Sequence, residues 1–167
     1  MSVEVRRAGA EEAPAIVRLV NAAFVVEAEF IEGDRTDLED IRAKLERGVF
    51  LLAVDGDAGG GAPVGCVYVE VNGPRGYLGM LSVDPSRQRT GLGRVLTQAA
   101  EDLCRARGCQ VMDIQIVNLR GELPPYYERL GYRPSGTAPF PAEATSKLKR
   151  PCHFVRMSKP LGGAQRA

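Results

Sequence analysis

Apolar positions along the chain alternate between spacings of two and of three to four residues, which divides it into strand-like and helix-like segments. Val3–Ala8 alternates and predicts a short strand. From Glu11 to Phe30, Ala15, Ile16, Leu19, Val20, Ala23 and Phe24 recur at helical spacing, with Pro14 in the first turn, where a missing N–H costs nothing. Glu32-Gly33-Asp34-Arg35 breaks that pattern. Thr36 with Glu39 three residues on is a helix-start signature, Ile41 and Leu45 carry the apolar stripe, and Gly48 ends the helix. Val49–Val54 predicts a buried strand and Asp55–Pro63 a glycine-rich loop. Strands follow at Val64–Val71 and Tyr77–Val83 around the turn Asn72-Gly73-Pro74. Gly91–Arg107 is the clearest helix, with Leu92, Val95, Leu96, Ala99, Ala100 and Leu103 forming one apolar face and Gly108 stopping it. Val111–Val117 is another apolar strand. Pro124–Leu130 predicts a short helix with proline at its start and Gly131 after its end. Tyr132–Thr137 and His153–Ser158 complete the strands, separated by a polar loop containing Pro139, Pro141 and Pro151. The order β-α-α-β-β-β-α-β-α-β-β predicts an α/β (α+β) domain, residues 1–167, with helices on the faces of a mixed sheet.

Composition narrows the function. With 22 Lys+Arg against 21 Asp+Glu, the net charge of +1 supplies no field for a nucleic-acid backbone or an anionic bilayer. No apolar run approaches the roughly 20 residues of a membrane span, and the N-terminal MSVEVRRAGAEE lacks the apolar core of a signal peptide. A cytoplasmic location is expected. Cys66, Cys104, Cys109 and Cys152 are scattered, without a CxxC pair. The single histidine, His153, adjoins Cys152, and neighbours on a strand face opposite sides, so no metal site is expected.

Chemistry concentrates between Leu78 and Leu96. A strand ends at Asp84-Pro85, a turn follows, and a long helix begins near Gly91. The first N–H groups of such a helix are unpaired and sit at the positive end of its dipole, which suits a phosphate. Gly91 and Gly93 either serve a tight turn or let a diphosphate approach the backbone; Arg87, Arg89 and Arg94 are charged donors around it. A P-loop requires Gly-Lys-Ser/Thr where Gly93-Arg94-Val95 stands, and a dinucleotide fingerprint requires a small residue where Leu96 stands.

Gln88-Arg89-Thr90-Gly91-Leu92-Gly93 resembles the acetyl-CoA signature of the GNAT superfamily of N-acetyltransferases, Gln or Arg, two residues, Gly, one residue, Gly or Ala. It follows Val83-Asp84-Pro85, a strand end common in that superfamily. Downstream, Asn118 closes the next strand, and Tyr126-Tyr127-Glu128-Arg129-Leu130-Gly131-Tyr132 resembles its Phe/Tyr-Tyr-x-x-x-Gly-Phe/Tyr block. The resemblance implies a mostly antiparallel sheet of six to seven strands, flanked by about four helices and splayed between the fourth and fifth strands. It also implies acetyl-CoA as cofactor, with Leu81 and Val83 pairing with the pantetheine arm, backbone N–H groups from Gln88 through Arg89, Thr90, Gly91, Leu92 and Gly93 to Arg94 holding the diphosphate, and Asn118 lining the pantetheine wall or simply capping its strand. Tyr127 matches the superfamily's proton-donating tyrosine, or serves as a core aromatic packing beside Leu130. The early-strand carboxylate found in many members has no counterpart in Gly76-Tyr77-Leu78-Gly79. Tyr77 is a candidate for positioning the acceptor, as are Glu27, Glu29, Glu32 and Asp34 around the break between the first two helices, and His153. Asp113, inside an apolar strand, must be paired or face the cleft. Lys147, Lys149 and Arg150, in the loop toward the acceptor entrance, suit an anionic group on the substrate. The implied activity is acetylation of a small or amino-acid-like amine. A protein N-terminus or lysine as acceptor, or a non-catalytic acyl-CoA sensor, are the alternatives, and a homodimer is compatible with the superfamily.

Overall fold

The computed structural model describes residues 3–55 and 61–162; most of the predicted glycine-rich loop lies outside the described residues. Strands β1 (Val3–Arg7), β2 (Val49–Asp55), β3 (Gly65–Asn72), β4 (Arg75–Val83), β5 (Val111–Val117), β6 (Arg133–Ala138) and β7 (Phe154–Pro160) form one sheet in the order β1-β2-β3-β4-β5-β7-β6. Helices α1 (Ala13–Ala23), α2 (Leu38–Arg47), α3 (Leu92–Ala106) and α4 (Leu123–Arg129) interrupt the strands in the predicted order. Every neighbouring pair of strands is antiparallel except β4 and β5, which run parallel. That joint is short. Arg75, Gly76 and Tyr77 pair with Val111, Met112 and Asp113, and beyond them the strands part.

Two apolar clusters cover the two faces of the sheet. Ile16, Leu19 and Val20 of α1 and Ile41 of α2 pack on Phe50, Leu52, Cys66, Tyr68 and Met80. On the other face, Leu92, Leu96, Ala100 and Cys104 of α3 pack on Leu51, Val67, Leu78, Met112 and Ile114, with Tyr127 of α4 beside them. Each buried Leu or Ile contributes roughly 1.5–3 kcal/mol of transfer free energy.

Several local expectations are corrected. The first helical stretch is not continuous: α1 ends at Ala23, and Phe24–Glu29 tightens into a 3-10 helix. The cap of α2 is Asp37, whose carboxylate accepts from Asp40 N–H at 2.8 Å; Thr36 instead donates its hydroxyl to Asp40 and its N–H to Asn21. Val95 points outward, 44% exposed, and the buried face of α3 includes Thr97, Glu101 and Cys104 in its place. The polar loop before β7 holds a 3-10 turn at Ala142–Lys147, and Ile31 bridges to Leu148. No helix among the described residues is long and apolar enough to cross a membrane.

Candidate active site

The parting of β4 from β5 is sharpened by a β-bulge. Cys66 pairs with Ser82 and Tyr68 with Gly79, so the two residues Met80 and Leu81 oppose the single Val67. Met80 takes a left-handed conformation, φ 51°, a strained state for a residue with a side chain that the surrounding structure must hold in place. The bulge switches the side-chain alternation: Leu78 joins the core under α3, whereas Met80 joins the core under α1 and α2. Ser82 Oγ donates to the Met80 carbonyl at 2.9 Å, and Cys66 Sγ lies 3.8 Å from it. A trans peptide holds its N–H opposite its carbonyl, so the Leu81 N–H is directed away from those two side chains.

The turn after β4 is built to expose amides. Asp84 accepts from both the N–H and the hydroxyl of Ser86, its carboxyl held below the usual range by those bonds, and Asp84 N–H donates to Val64. Arg87 forms a two-pronged pair with Asp55 at the end of β2, 2.8 and 3.0 Å, which pins the turn to the sheet and takes this arginine out of the proposed phosphate donors. Arg89 is left-handed at φ 68° and Gly91 at φ 87°. Gly91 is the N-cap of α3, and no side chain or loop carbonyl among the described residues accepts from the N–H groups of Gln88 through Arg94. Arg89 and Arg94 are exposed beside this row, while Gln88 leans back toward the Val83 carbonyl at 3.4 Å. Gly93 has a second purpose. A Cβ there would stand 2.8 Å from the Tyr126 hydroxyl, so the glycine seats Tyr126 against the first turn of α3. An array of free amides at the start of a 15-residue helix, opening onto a parted strand edge, fits a diphosphate joined to an extended arm.

Tyr127 is 7% exposed and lies between two aromatic rings, Tyr126 at 5.0 Å and Tyr132 at 5.7 Å, both edge to face. Its hydroxyl has no hydrogen-bond partner among the described residues, and burial, followed by Tyr126, holds its pKa above the ordinary tyrosine value. Tyr77 is half-buried on the other face of β4; its hydroxyl occupies the space a Cβ at Gly79 would need. Burial raises its pKa, while Arg35 and Gln115, the latter across the gap on β5, act against that.

Of the acids near the first helices, the fold buries Glu27 alone, 6% exposed, and pairs it with Arg120 at 2.8 Å; Glu29, Glu32 and Asp34 are exposed. Arg120 also holds Glu122 at 2.8 Å. The sequence offered no signal for Arg120, which stands in an irregular connection between β5 and α4. Asp113 is paired, with Arg75 Nε and NH2 both at 2.7 Å and with the Ser158 hydroxyl, so it does not serve the cleft. Asn118 and His153 tie the ends of β5 and β7: Asn118 Oδ1 accepts from His153 N–H at 2.8 Å, and His153 carbonyl accepts from Asn118 N–H at 2.9 Å. His153 itself is exposed, just before β7 begins. Lys149 donates its ammonium to the Ala28 carbonyl, and Glu32 N–H and Lys149 N–H bond the opposing backbones at 2.7 Å each, which laces the loop before β7 to the segment after α1. No group of three or more His, Cys, Asp or Glu that could hold a metal occurs among the described residues.

The Acetyltransferase (GNAT) family model matches residues 14–132, spanning the bulged β4, the amide-rich turn and both tyrosine positions. The chain belongs to the GNAT family. Mycothiol acetyltransferase from Beutenbergia cavernae is 34% identical over 101 residues, 58% of this chain and 34% of that protein. Its counterpart from Clavibacter michiganensis subsp. michiganensis is 32% identical over 126 residues, 74% of this chain and 40% of that protein. The chain thus spans well under half the length of these curated relatives. Among solved structures, the ribosomal-protein-S18-alanine N-acetyltransferase from Escherichia coli superposes with TM-score 0.73 at 17% identity, covering 96% of this chain and 94% of that one. yncA from Salmonella typhimurium, solved with its cofactor acetyl-CoA, gives TM-score 0.71 at 20% identity over 96% and 95% of the two chains. At these identities the structures establish the shared GNAT fold.

Proposed function

We propose that this GNAT protein is an acetyl-CoA-dependent N-acetyltransferase acting on a small or amino-acid-like amine. The observation that carries the reading is the continuity of two features: the free amides from Gln88 to Arg94 open directly onto the bulged, unpaired edge of β4. The amides and the dipole of α3 would hold the diphosphate, and the edge at Leu81 and Val83 would receive the pantetheine arm as a strand. Bound acetyl-CoA supplies an activated acetyl thioester.

The protein's own groups divide the remaining work. The Leu81 N–H, turned by the bulge, donates to the oxygen on which charge gathers during acyl transfer. Tyr127, still protonated at neutral pH, would give its proton to the departing thiolate, whose pKa is near 8.5, and would be restored from solvent, which takes up the proton that the attacking nitrogen loses. An alkyl amine with a pKa near 10.4 is neutral only about one time in 2,500 at pH 7, so the acceptor side must favour the neutral form. Tyr77, near Gln115, and Glu27, held by Arg120, are the polar groups proposed for this side; Glu27 would orient the amine, Arg120 offsetting the pull of its carboxylate on the charged form, while desolvation in the cleft would disfavour that form.

The acceptor class rests on two supports. The lacing of residues 30–32 to residues 147–149 would narrow an acceptor entrance shaped by the loop before β7, which suits a small molecule better than a polypeptide. Both curated relatives are named for mycothiol acetylation. Four free cysteines suit a reducing compartment, and the proposed location is the cytoplasm. A second reading, a CoA-binding sensor without turnover, is favoured by one feature, the absence of a carboxylate on β4.

Thiol release from acetyl-CoA over a panel of small amines and short peptides tests the assignment. Turnover on small amines that falls about a hundredfold or more in Tyr127→Phe, with CoA affinity kept within twofold, is the expected result. Tight CoA binding without turnover on any acceptor supports the sensor, and turnover on peptides alone overturns the acceptor class.

A further inference from the structure

Tyr127 presents an unusual positioning problem. Its hydroxyl has no hydrogen bond among the described residues, so nothing polar fixes where it points, and the ring is held only by what it packs against. Both packing partners are themselves tethered, and both tethers reach α3. Tyr126 places its hydroxyl in the notch left by Gly93, in the first turn of that helix. Tyr132, fully buried, donates its hydroxyl to Glu101 Oε2 at 2.7 Å, two turns further along α3. Glu101 is 1% exposed, and its other oxygen accepts from Lys159 of β7 at 2.9 Å; the lysine ammonium in turn stands 5.7 Å from the Tyr132 ring. The backbone adds a further link, because the Tyr127 carbonyl accepts from the N–H groups of both Leu130 and Tyr132.

A buried ion pair is weak support for stability, because desolvation of both partners offsets their attraction; fixing one geometry is its better-attested use. An aromatic core position needs no hydroxyl, and a buried carboxylate placed to receive one fixes the far end of that ring against displacement. We infer that Glu101, with Lys159 and Tyr132, is a positioning device for Tyr127: it clamps the tyrosine ring so that its hydroxyl stays aimed into the cleft, and it references that aim to the same helix whose first turn exposes the diphosphate-binding amides. In this role Glu101, 1% exposed, acts on Tyr127 only through Tyr132. The inference rests on the reading of Tyr127 as the proton donor.

The test compares Glu101→Gln and Tyr132→Phe in two backgrounds, the natural chain and Tyr127→Phe. In the natural background each variant lowers kcat about tenfold to a hundredfold, the scale of a small misplacement of a reacting group, while KM for acetyl-CoA stays within twofold. In the Tyr127→Phe background neither lowers kcat further. In carbon-13 tyrosine spectra, the Tyr127 ring resonances shift and broaden when Glu101→Gln is introduced. Tyr132→Phe, which removes one oxygen and keeps the ring, serves if Glu101→Gln folds poorly. An equal loss of kcat in both backgrounds, or a loss confined to KM, overturns the positioning role while leaving Tyr127 as the acid. Unimpaired kcat in Tyr127→Phe alone overturns the acid assignment, and the positioning role with it.

Discussion

A tyrosine donates a proton only while it still holds one, and burial decides the range over which Tyr127 would serve in the proposed role. Its pKa is raised above 10, so the protonated form persists throughout the range in which an acceptor amine deprotonates. The rate constant kcat is therefore expected to rise with pH up to about 10, with no descending limb from loss of the acid. A pH–rate profile that turns down near pH 8 contradicts that assignment. Glu12 shows the opposite sign. Arg6 grips both of its oxygens at 2.6 and 2.9 Å, Gly9 N–H donates to it as well, and its pKa falls from 4.5 to about 2. A lowered carboxylate contributes stability that is complete above its unfolded value and is lost as pH drops through the folded one. Glu12→Gln should cost about 1 kcal/mol near neutral pH, the partial exposure of the pair screening the rest. Thermal melts at pH 7, 4.5 and 2.5 should show the difference between variant and natural chain shrink across that window, most of it gone by pH 2.5. Among individual residues, the place of Tyr127 beside α3 was legible because its block has a fixed spacing to Gly131. Arg120 was not, since its value comes from lying opposite Glu27, 93 positions away in sequence.

Strands and helices were legible wherever one face is buried, because burial imposes a period of two on a strand and near 3.6 on a helix. The limits of β5 follow directly from its apolar run. The bulge in β4 left no comparable trace: Met80 is an apolar residue in an alternating stretch, and nothing in its type announces a positive φ. Side-chain competition hid the cap of α2, where Thr36 and Asp37 both qualify and the hydroxyl is drawn instead to Asp40. The turn into α3 was legible because Gly91 is a conformational requirement. Its φ of 87° carries a penalty of roughly 1–2 kcal/mol for any residue with a Cβ, although the space around it is open. Gly91→Ala is therefore expected to fold while misdirecting the adjoining amides. Isothermal titration should find CoA binding weakened about tenfold or more, with melting lowered only slightly. Unchanged affinity would place the diphosphate elsewhere.

At the scale of the whole molecule, the sheet is two halves meeting at one weak seam. Antiparallel ladders join β1 through β4 on one side and β5, β7 and β6 on the other. Between the halves stand three parallel residue pairs and the Arg75–Asp113 ion pair, and the arginine side of that pair is about half exposed. Helix α3 crosses one face and lies mostly over β2, β3 and β4 in the first half, while Met112 and Ile114 of β5 join the same cluster beneath it. The second half is held to the first by side-chain packing, by the tether from Glu101 to Lys159 and Tyr132, by the Glu27–Arg120 pair and by the backbone bonds between residues 30–32 and 147–149. A ligand that pairs with the free edge of β4 and fills the opening toward β5 bridges both halves. Linkage then sets the size of the effect: at a hundred times Kd, binding confined to the folded state contributes about 2.7 kcal/mol, or roughly 5–10 °C of Tm for a domain of this length. CoA should produce that shift, and the amides of residues 81–83 and 114–117 should gain protection from hydrogen exchange together, because one bound arm shields both edges. In Gly91→Ala at the same CoA concentration, both signals should shrink together. Protection gained at the turn after Pro85 without any gain at the two strand edges would mean that the diphosphate binds but the arm does not enter the seam, and the chemistry assigned to Tyr127 and Leu81 would have no substrate to act upon.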